Sequence, residues 1–389
     1  MENFEKEIIE EREGNIATGV EAESTQDEID INIENPWDPR LIRVDPKTFS
    51  LRNILDMIND GDLELAPDFQ RRNVWSHGQK ARLIESILLR IPLPAFYFSA
   101  NEEGALQVID GFQRLSAIYD FVKGGKNGDK YYSLKELEYL QNDIGGKSFE
   151  HLEGTLWARR IYTTQIIANV VDPQTPENVK FDIFKRINTG GSPLNAQEIR
   201  HCMSKERSRK FLKELASSDI FNVVTNYNLK DHVRMVDREV VLRFSAFRLL
   251  ENIEDYGKFG TMDAFLTTTT HKIDYEIDDK VIENLKRDFE NSMTNAHNLF
   301  GGHAFRKWPL GYERIAPINR ALFDVWGVIL ANYAWFQLEK YKDKIIEKAR
   351  QLMFIDMDFI ESISASTSGY GRVQTRFSKV KQLFSEVGL

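Results

Sequence analysis

Asp110-Gly111-Phe112-Gln113-Arg114 combines the residue types with the most to offer chemically in this chain. An apolar run over 106–109 reads as a strand leading into it, and Leu115, Ile118 and Val122 give the segment that follows the spacing of a helix. A strand, a sharp Asp-Gly turn and a helix start therefore coincide. A helix start presents unpaired backbone N–H groups and partial positive charge, which favour phosphate. Gly111 lets the backbone approach a ligand without a Cβ in the way. Arg114 offers a forked cation suited to phosphate oxygens. Asp110, at the strand end, is the candidate to hold a metal, position a water or orient that arginine, and Gln113 lies beside them in the first turn. The bland alternative is a plain Asp-Gly turn with an exposed arginine.

Two further clusters carry compatible groups. Gln70-Arg71-Arg72 lies in a polar loop before a helix that contains Lys80. Two adjacent arginines point in different directions, so one of them is expected to reach a ligand. Glu85 on the same helix offers an ordinary ion-pair partner. Lys185-Arg186-Ile187-Asn188-Thr189-Gly190-Gly191 is a helix end running into a glycine loop. It is an ordinary C-cap pattern that also brings Arg186, Asn188 and bare backbone within reach of a nucleotide. The Gly-Lys-Ser/Thr of a Walker loop is missing.

The elements that must position these groups are legible as periodicities. Helices are expected over 51–58, 77–90, 112–122 and 177–187, and strands over 63–65, 95–99, 106–109 and 165–171. Ser76 is the expected N-cap of the second helix. From about residue 195 the pattern is nearly all helical, with candidates over 198–216, 238–252, 280–300, 317–338 and 340–353. The expected class is α+β, with a mixed α/β core over 36–195 and a helical region over 196–389.

Charge is distributed unevenly. Residues 1–35 hold 12 acidic and two basic residues, which leaves 49 basic and 48 acidic residues for 36–389. The body is close to neutral, so a nucleic-acid surface must be a local patch. The acidic tail reads as disordered or weakly helical, a solubility element or a nucleic-acid mimic that shields a basic groove. Arg306, Lys307, Arg314, Arg372 and Arg376, with Trp308 and Tyr370 nearby in sequence, form a candidate DNA-backbone patch. The alternative is a solvated helical surface. Asp278-Asp279-Lys280 has the Asp-x-Lys core of a restriction-type nuclease. The seven histidines are scattered, without zinc spacing, and no nucleophile elbow supports a serine hydrolase. A single cysteine, Cys202, the lack of a secretory signal and the lack of a long apolar run make a cytoplasmic protein the expectation, without a membrane partner.

Taken together, Pro67-Asp68-Phe69-Gln70-Arg71, Leu83-Ile84-Glu85-Ser86-Ile87-Leu88, Ile91-Pro92-Leu93-Pro94 and Val108-Ile109-Asp110-Gly111-Phe112-Gln113-Arg114-Leu115 resemble the N-terminal domain of GmrSD-type restriction enzymes. Phe184-Lys185-Arg186-Ile187-Asn188-Thr189-Gly190-Gly191, Arg314-Ile315-Ala316-Pro317-Ile318-Asn319-Arg320 and Val373-Gln374-Thr375-Arg376-Phe377-Ser378 extend the likeness over 41–384. The resemblance implies a ParB/sulfiredoxin-like core that binds and often hydrolyses a nucleoside triphosphate with Mg2+ or another divalent cation, in bacterial defence against phage DNA. It puts Asp110, Gln113 and Arg114 in catalytic roles and Asp110 on the metal. Gln70, Arg71, Lys80, Gly111, Arg114, Arg186 and Asn188 would hold the nucleotide. Phe112 stands where the family's Asp-Gly-Gln-Gln-Arg signature has its first glutamine, which puts turnover in question more than binding. No nuclease domain is evident, so cleavage is expected from a nuclease partner. DNA is a further expected partner, and self-association is left open. The rival readings are a non-enzymatic DNA-binding or regulatory protein and a nuclease built on Asp278 and Asp279.

Overall fold

The computed structural model describes residues 8–13, 16–22, 40, 42–65, 75–124, 132–187, 194–232 and 234–389. The chain divides into one unit of Trp37–Asn195 and another of Met1–Pro36 with Ala196–Leu389. The first strands, β1 (Glu10–Glu13) and β2 (Ile16–Glu21), form an antiparallel hairpin within the second of these.

In the mixed unit a sheet runs in the order β3 (Val44–Ser50), β7 (Gln165–Val171), β5 (Phe96–Ala100), β6 (Leu106–Asp110), β4 (Leu63–Glu64). The β3–β7 and β5–β6 pairs are antiparallel, while β7–β5 and β6–β4 are parallel. The sequence reading missed β3 because Val-Asp-Pro-Lys-Thr-Phe-Ser is polar and contains a proline. On the edge of a sheet Pro46 costs no ladder bond that a neighbour needs, and all seven residues pair with β7.

Capping fixes the first helices. α1 (Leu51–Asp60) begins where the Ser50 hydroxyl accepts from the Asn53 N–H, and it stops at Gly61 with φ +89°. α2 (His77–Leu88) opens with the expected Ser76, in a reciprocal capping box with Gln79. α3 (Phe112–Lys123) follows β6 directly. Short turns α4 (Gln141–Ile144) and α5 (Phe149–Leu152) lead to α6 (Leu156–Thr163), and α7 (Glu177–Ile187) follows β7. Ile54, Ile84, Phe98, Ile118, Ile161 and Ala168 are completely buried in one core shared by α1, α2, α3, α6 and one face of the sheet. Each of the isoleucine and phenylalanine side chains stabilises the unit by about 1.5–3 kcal/mol.

The second unit is helical. Its elements are α8 (Ala196–Met203), α9 (Glu206–Ala216), α10 (Asp219–Val224), α11 (Val236–Arg248), α12 (Met262–Tyr275) and α13 (Asp279–Phe300), then α14 (Arg320–Leu330), α15 (Trp335–Glu339), α16 (Lys342–Ile355), α17 (Met357–Ser362) and α18 (Tyr370–Val387). The single helix expected over 198–216 is broken between α8 and α9. There the Asp274 carboxylate accepts from the N–H groups of Lys205 and Ser208, both at 2.8 Å, and caps the second piece. The helix expected over 317–338 starts only at Arg320, because the Asn319 side chain caps it by accepting from the Leu322 N–H. At its centre Asp324 accepts from Arg243 Nε and Nη2 at 2.9 and 2.7 Å and from Arg376 Nη2 at 2.9 Å. None of the three is more than 2 % exposed.

The acidic tail needs a correction. Residues 10–13 and 16–21 are strands, and Val20 is fully buried in the core of the helical unit. β1 is wholly charged and β2 is interrupted by Gly19, and the hairpin is stabilised by groups far along the chain. No helix among the described residues is long and apolar enough to cross a membrane.

Candidate functional site

The end of β6 is shaped by a bulge. Tyr97 pairs with Asp110, but Phe98 pairs with Val108, so Ile109 is an extra residue against one step of β5. Val108 lies in the core described above, whereas Ile109 is buried outside it. Alternation along a strand turns Ile109 to the other face, and α7 packs against β6. Strict alternation would return Asp110 to the apolar core. The bulge re-aims it, and its side chain is about one-third exposed.

Gly111 then turns the chain with φ +97°. A Cβ here would run into Cδ1 and Cε1 of the buried Phe96 ring and lie 3.2 Å from Arg114 Nη2. Glycine is required both for the left-handed backbone and for the close approach. No side chain caps the start of α3 among the described residues, and backbone N–H groups gather at any such helix start.

Arg114 acts as a clasp. Its Nη1 donates to the Pro94 carbonyl, and its Nη2 donates to the Ala95 carbonyl at 3.2 Å and to Asp110 Oδ2 at 2.9 Å. The guanidinium lies 4.2 Å from the centre of the Phe96 ring. Burial pulls its pKa below the usual arginine value, and the Asp110 charge opposes that shift. The forked cation that the sequence suggests for phosphate is thus committed to the ends of β5 and β6. Asp110 Oδ1 keeps no hydrogen-bond partner among the described residues.

The structure brings Asp110, Gly111, Gln113 and Arg114 together, as neighbours in sequence must be. It places Lys80 elsewhere. Lys80 is 7 % exposed, its Nζ lies 3.3 Å from Asp120 Oδ2 and 5.8 Å from the centre of the Tyr132 ring. Asp120 lies eight residues into α3, about 12 Å along the helix from its start. Lys80 therefore packs α2 against the far turns of α3 rather than meeting Asp110. Burial, and to a lesser degree the Asp120 charge, push the Tyr132 phenol above its ordinary pKa. Arg186 is exposed in the last turn of α7, the helix that packs on β6. Gln70, Arg71, Arg72 and Asn188 lie outside the described residues.

Sequence reasoning missed Phe96, which supports the clasp, and the real role of Glu85. The Glu85 carboxylate is buried and accepts from the N–H groups of Glu138, Tyr139 and Leu140 at 3.0, 2.7 and 2.8 Å. Burial alone would raise its pKa, but the three donors bring it below the usual carboxylate range. The proline pair preceding Phe96 was the available signal that β5 begins with fixed geometry.

The C-terminal basic patch requires a correction. Arg306 is 2 % exposed and donates to the carbonyls of Ala304 and Thr225, and burial lowers its pKa to about 10. Lys307 is buried against Glu21 at 2.6 Å, and Arg376 against Asp324. These three are internal struts and cannot reach a DNA backbone in this fold. Arg314 is exposed, and Arg372 is paired with Glu361 at 2.6 Å. Trp308 is stacked between His303 and Arg350. The acidic pair considered for nuclease chemistry also has structural work: Asp278 caps α13, and Asp279 pairs with Arg207. Among the described residues no group of three or more His, Cys, Asp and Glu could by itself enclose a metal.

Most of the α/β part of the chain matches a known protein family. Residues 51–204 match the model described as GmrSD restriction endonuclease, N-terminal domain. Over this segment the chain is similar to the GmrSD N-terminal domain. The match contains the strand, glycine turn and helix that hold Asp110 and Arg114. It continues past Asn195, so the GmrSD segment ends within the first helix of the helical unit and the serine after it. There Arg200 pairs with Asp263 and Glu198 with Arg234. No curated protein matches the chain. The GmrSD domain is the basis for reading the chain as a module of DNA restriction or phage defence.

Proposed function

We propose that the GmrSD domain binds a nucleoside triphosphate at the start of α3 and so acts as the nucleotide-responsive part of a restriction or phage-defence module. The observation that carries this reading is the Gly111 turn. It combines a left-handed glycine that admits no Cβ, the start of a 12-residue helix, and a partly exposed carboxylate whose Oδ1 has no hydrogen-bond partner among the described residues. A helix start of this kind favours phosphate.

Mg2+ fits the site in one specific manner. It keeps several waters and is commonly held by one or two carboxylates together with substrate phosphates. Asp110 Oδ1 would supply one such ligand, and the phosphates would supply others. Bound there, the cation would neutralise phosphate charge. Arg114 holds Asp110 Oδ2 and the ends of β5 and β6, so it fixes where Oδ1 points; this makes it a positioning residue in this state. Phe112 in the signature favours binding over turnover, and hydrolysis, if present, would need a water-orienting group other than the missing glutamine.

Calorimetric titration of the full chain with ATP, GTP and CTP in the presence of Mg2+ tests the proposal, alongside Asp110→Asn with its melting temperature as the control for folding. Saturable binding of a nucleotide, weakened by Asp110→Asn and dependent on Mg2+, is the expected result. If no nucleotide binds the wild type, while DNA binds with an affinity that falls steeply with salt, the proposal gives way to a DNA-binding role.

A further inference from the structure

The N-terminal hairpin is seated by groups nearly three hundred residues away in sequence. Val20 bridges to Ile318 in parallel register. The Glu21 N–H donates to the Ile318 carbonyl at 2.8 Å, and the Ile318 N–H donates to the Gly19 carbonyl at 2.9 Å. Glu21 turns its carboxylate inward: Oε1 accepts from Lys307 Nζ at 2.6 Å and Oε2 accepts from Asn319 Nδ2 at 2.9 Å. Lys307 is 3 % exposed and Glu21 6 %, and the second bond of Lys307 is to Ser364 Oγ at 2.8 Å. Arg320 reaches Glu11 on β1 at 3.0 Å, and His232 Nε2 meets the Thr18 carbonyl at 3.1 Å.

A buried ammonium is strongly unfavourable without an opposite charge. Here that charge arrives on an extended strand whose backbone is paired at the same point. Strand addition of this type draws affinity from main-chain bonds and specificity from a pocket for one side chain. We propose that the helical unit carries a peptide-binding seat, keyed by Lys307 and Asn319 for a glutamate on an extended strand, and that its ligand is the chain's own segment 8–22. The seat's affinity is its own and does not depend on the covalent link through residues 23–36. Because the hairpin precedes Trp37 and the helices follow Asn195, a filled seat ties the chain of the GmrSD-containing unit at both ends to the helical unit. An empty seat leaves one tie.

The test uses the full chain with a protease site introduced between residues 24 and 34. After cleavage the fragment bearing residues 8–22 is expected to co-elute with the body under native conditions. A fluorescent synthetic peptide of residues 8–22 is expected to exchange for it, and the same peptide with Glu21→Gln to exchange at least about tenfold more weakly, since a charge-assisted buried bond is lost. Lys307→Met in the body should reduce that preference to about twofold or less. Loss of the fragment from the cleaved wild type, whether the body stays folded or not, overturns the proposal. So does equal exchange of the two peptides into the wild-type body.

Discussion

Gly111→Ala should damage the GmrSD domain through two separable effects. The first is backbone strain: at φ +97° a residue with a Cβ costs about 1–2 kcal/mol. The second is collision with the Phe96 ring, whose Cε1 would lie 2.7 Å from the new methyl. Phe96 is completely buried and is held from one side by Arg114, so forcing it aside should add about 1–3 kcal/mol. The sum is about 2–5 kcal/mol, or roughly 5–15 °C in Tm for a unit of this size. Gly104 provides the control, because it has φ +87° and nothing within 4 Å of an added Cβ. Gly104→Ala should therefore show only the strain, about 1–2 kcal/mol. Calorimetric melting of the full chain, with hydrogen exchange of peptides from β5, β6 and α3 to localise the loss, measures both. Phe96→Leu combined with Gly111→Ala should cost less than the sum of the single changes, since the collision is relieved. If Gly111→Ala melts within about 2 °C of Gly104→Ala, the Phe96 ring is not the fixed wall described here, and the geometric argument for the site fails.

Three other outcomes follow from the same reasoning. Asp324→Asn leaves Arg243 and Arg376 buried without their shared anion and should destabilise the helical unit by about 3–5 kcal/mol, read as a lowered denaturant midpoint with an unchanged m-value. Glu85 has a folded pKa below its unfolded value, so its contribution is present above pH about 4.3 and fades as pH falls through the folded value. Melting curves from pH 6 to pH 3 should show a shallower acid loss for Glu85→Gln, which should also melt lower than wild type at pH 7. Arg114→Lys cannot hold two carbonyls and Asp110 from one planar fork. It should lower Mg2+-dependent nucleotide affinity by about tenfold or more while leaving the secondary structure, followed by circular dichroism, in place.

Much of the site was legible before any tertiary information. Asp110, Gly111 and Arg114 are neighbours in sequence, and the apolar spacings on either side define the strand and helix that bear them. Ser76 and the apolar spacing of Leu51, Ile54, Leu55 and Ile58 in α1 are equally local, because capping and helical periodicity act over three or four residues. The edge strand β3 and the hairpin were not legible, since a proline-containing β3, a charged β1 and a glycine-interrupted β2 form strands only where a partner supplies hydrogen bonds.

The sequence by itself determined that a carboxylate, a glycine and an arginine meet at a strand-to-helix turn within a mixed unit followed by helices. Only the tertiary structure decided what the charges do. Arg114 became a clasp once the carbonyls of Pro94 and Ala95 stood within its reach, and Lys80 turned away toward Asp120. Arg306, Lys307 and Arg376 left the surface because Thr225, Glu21 and Asp324 were waiting inside. A cation's composition is local, but whether it binds a ligand or props up a core depends on which anion or carbonyl the fold brings within about 3 Å, and that partner can lie anywhere along the chain.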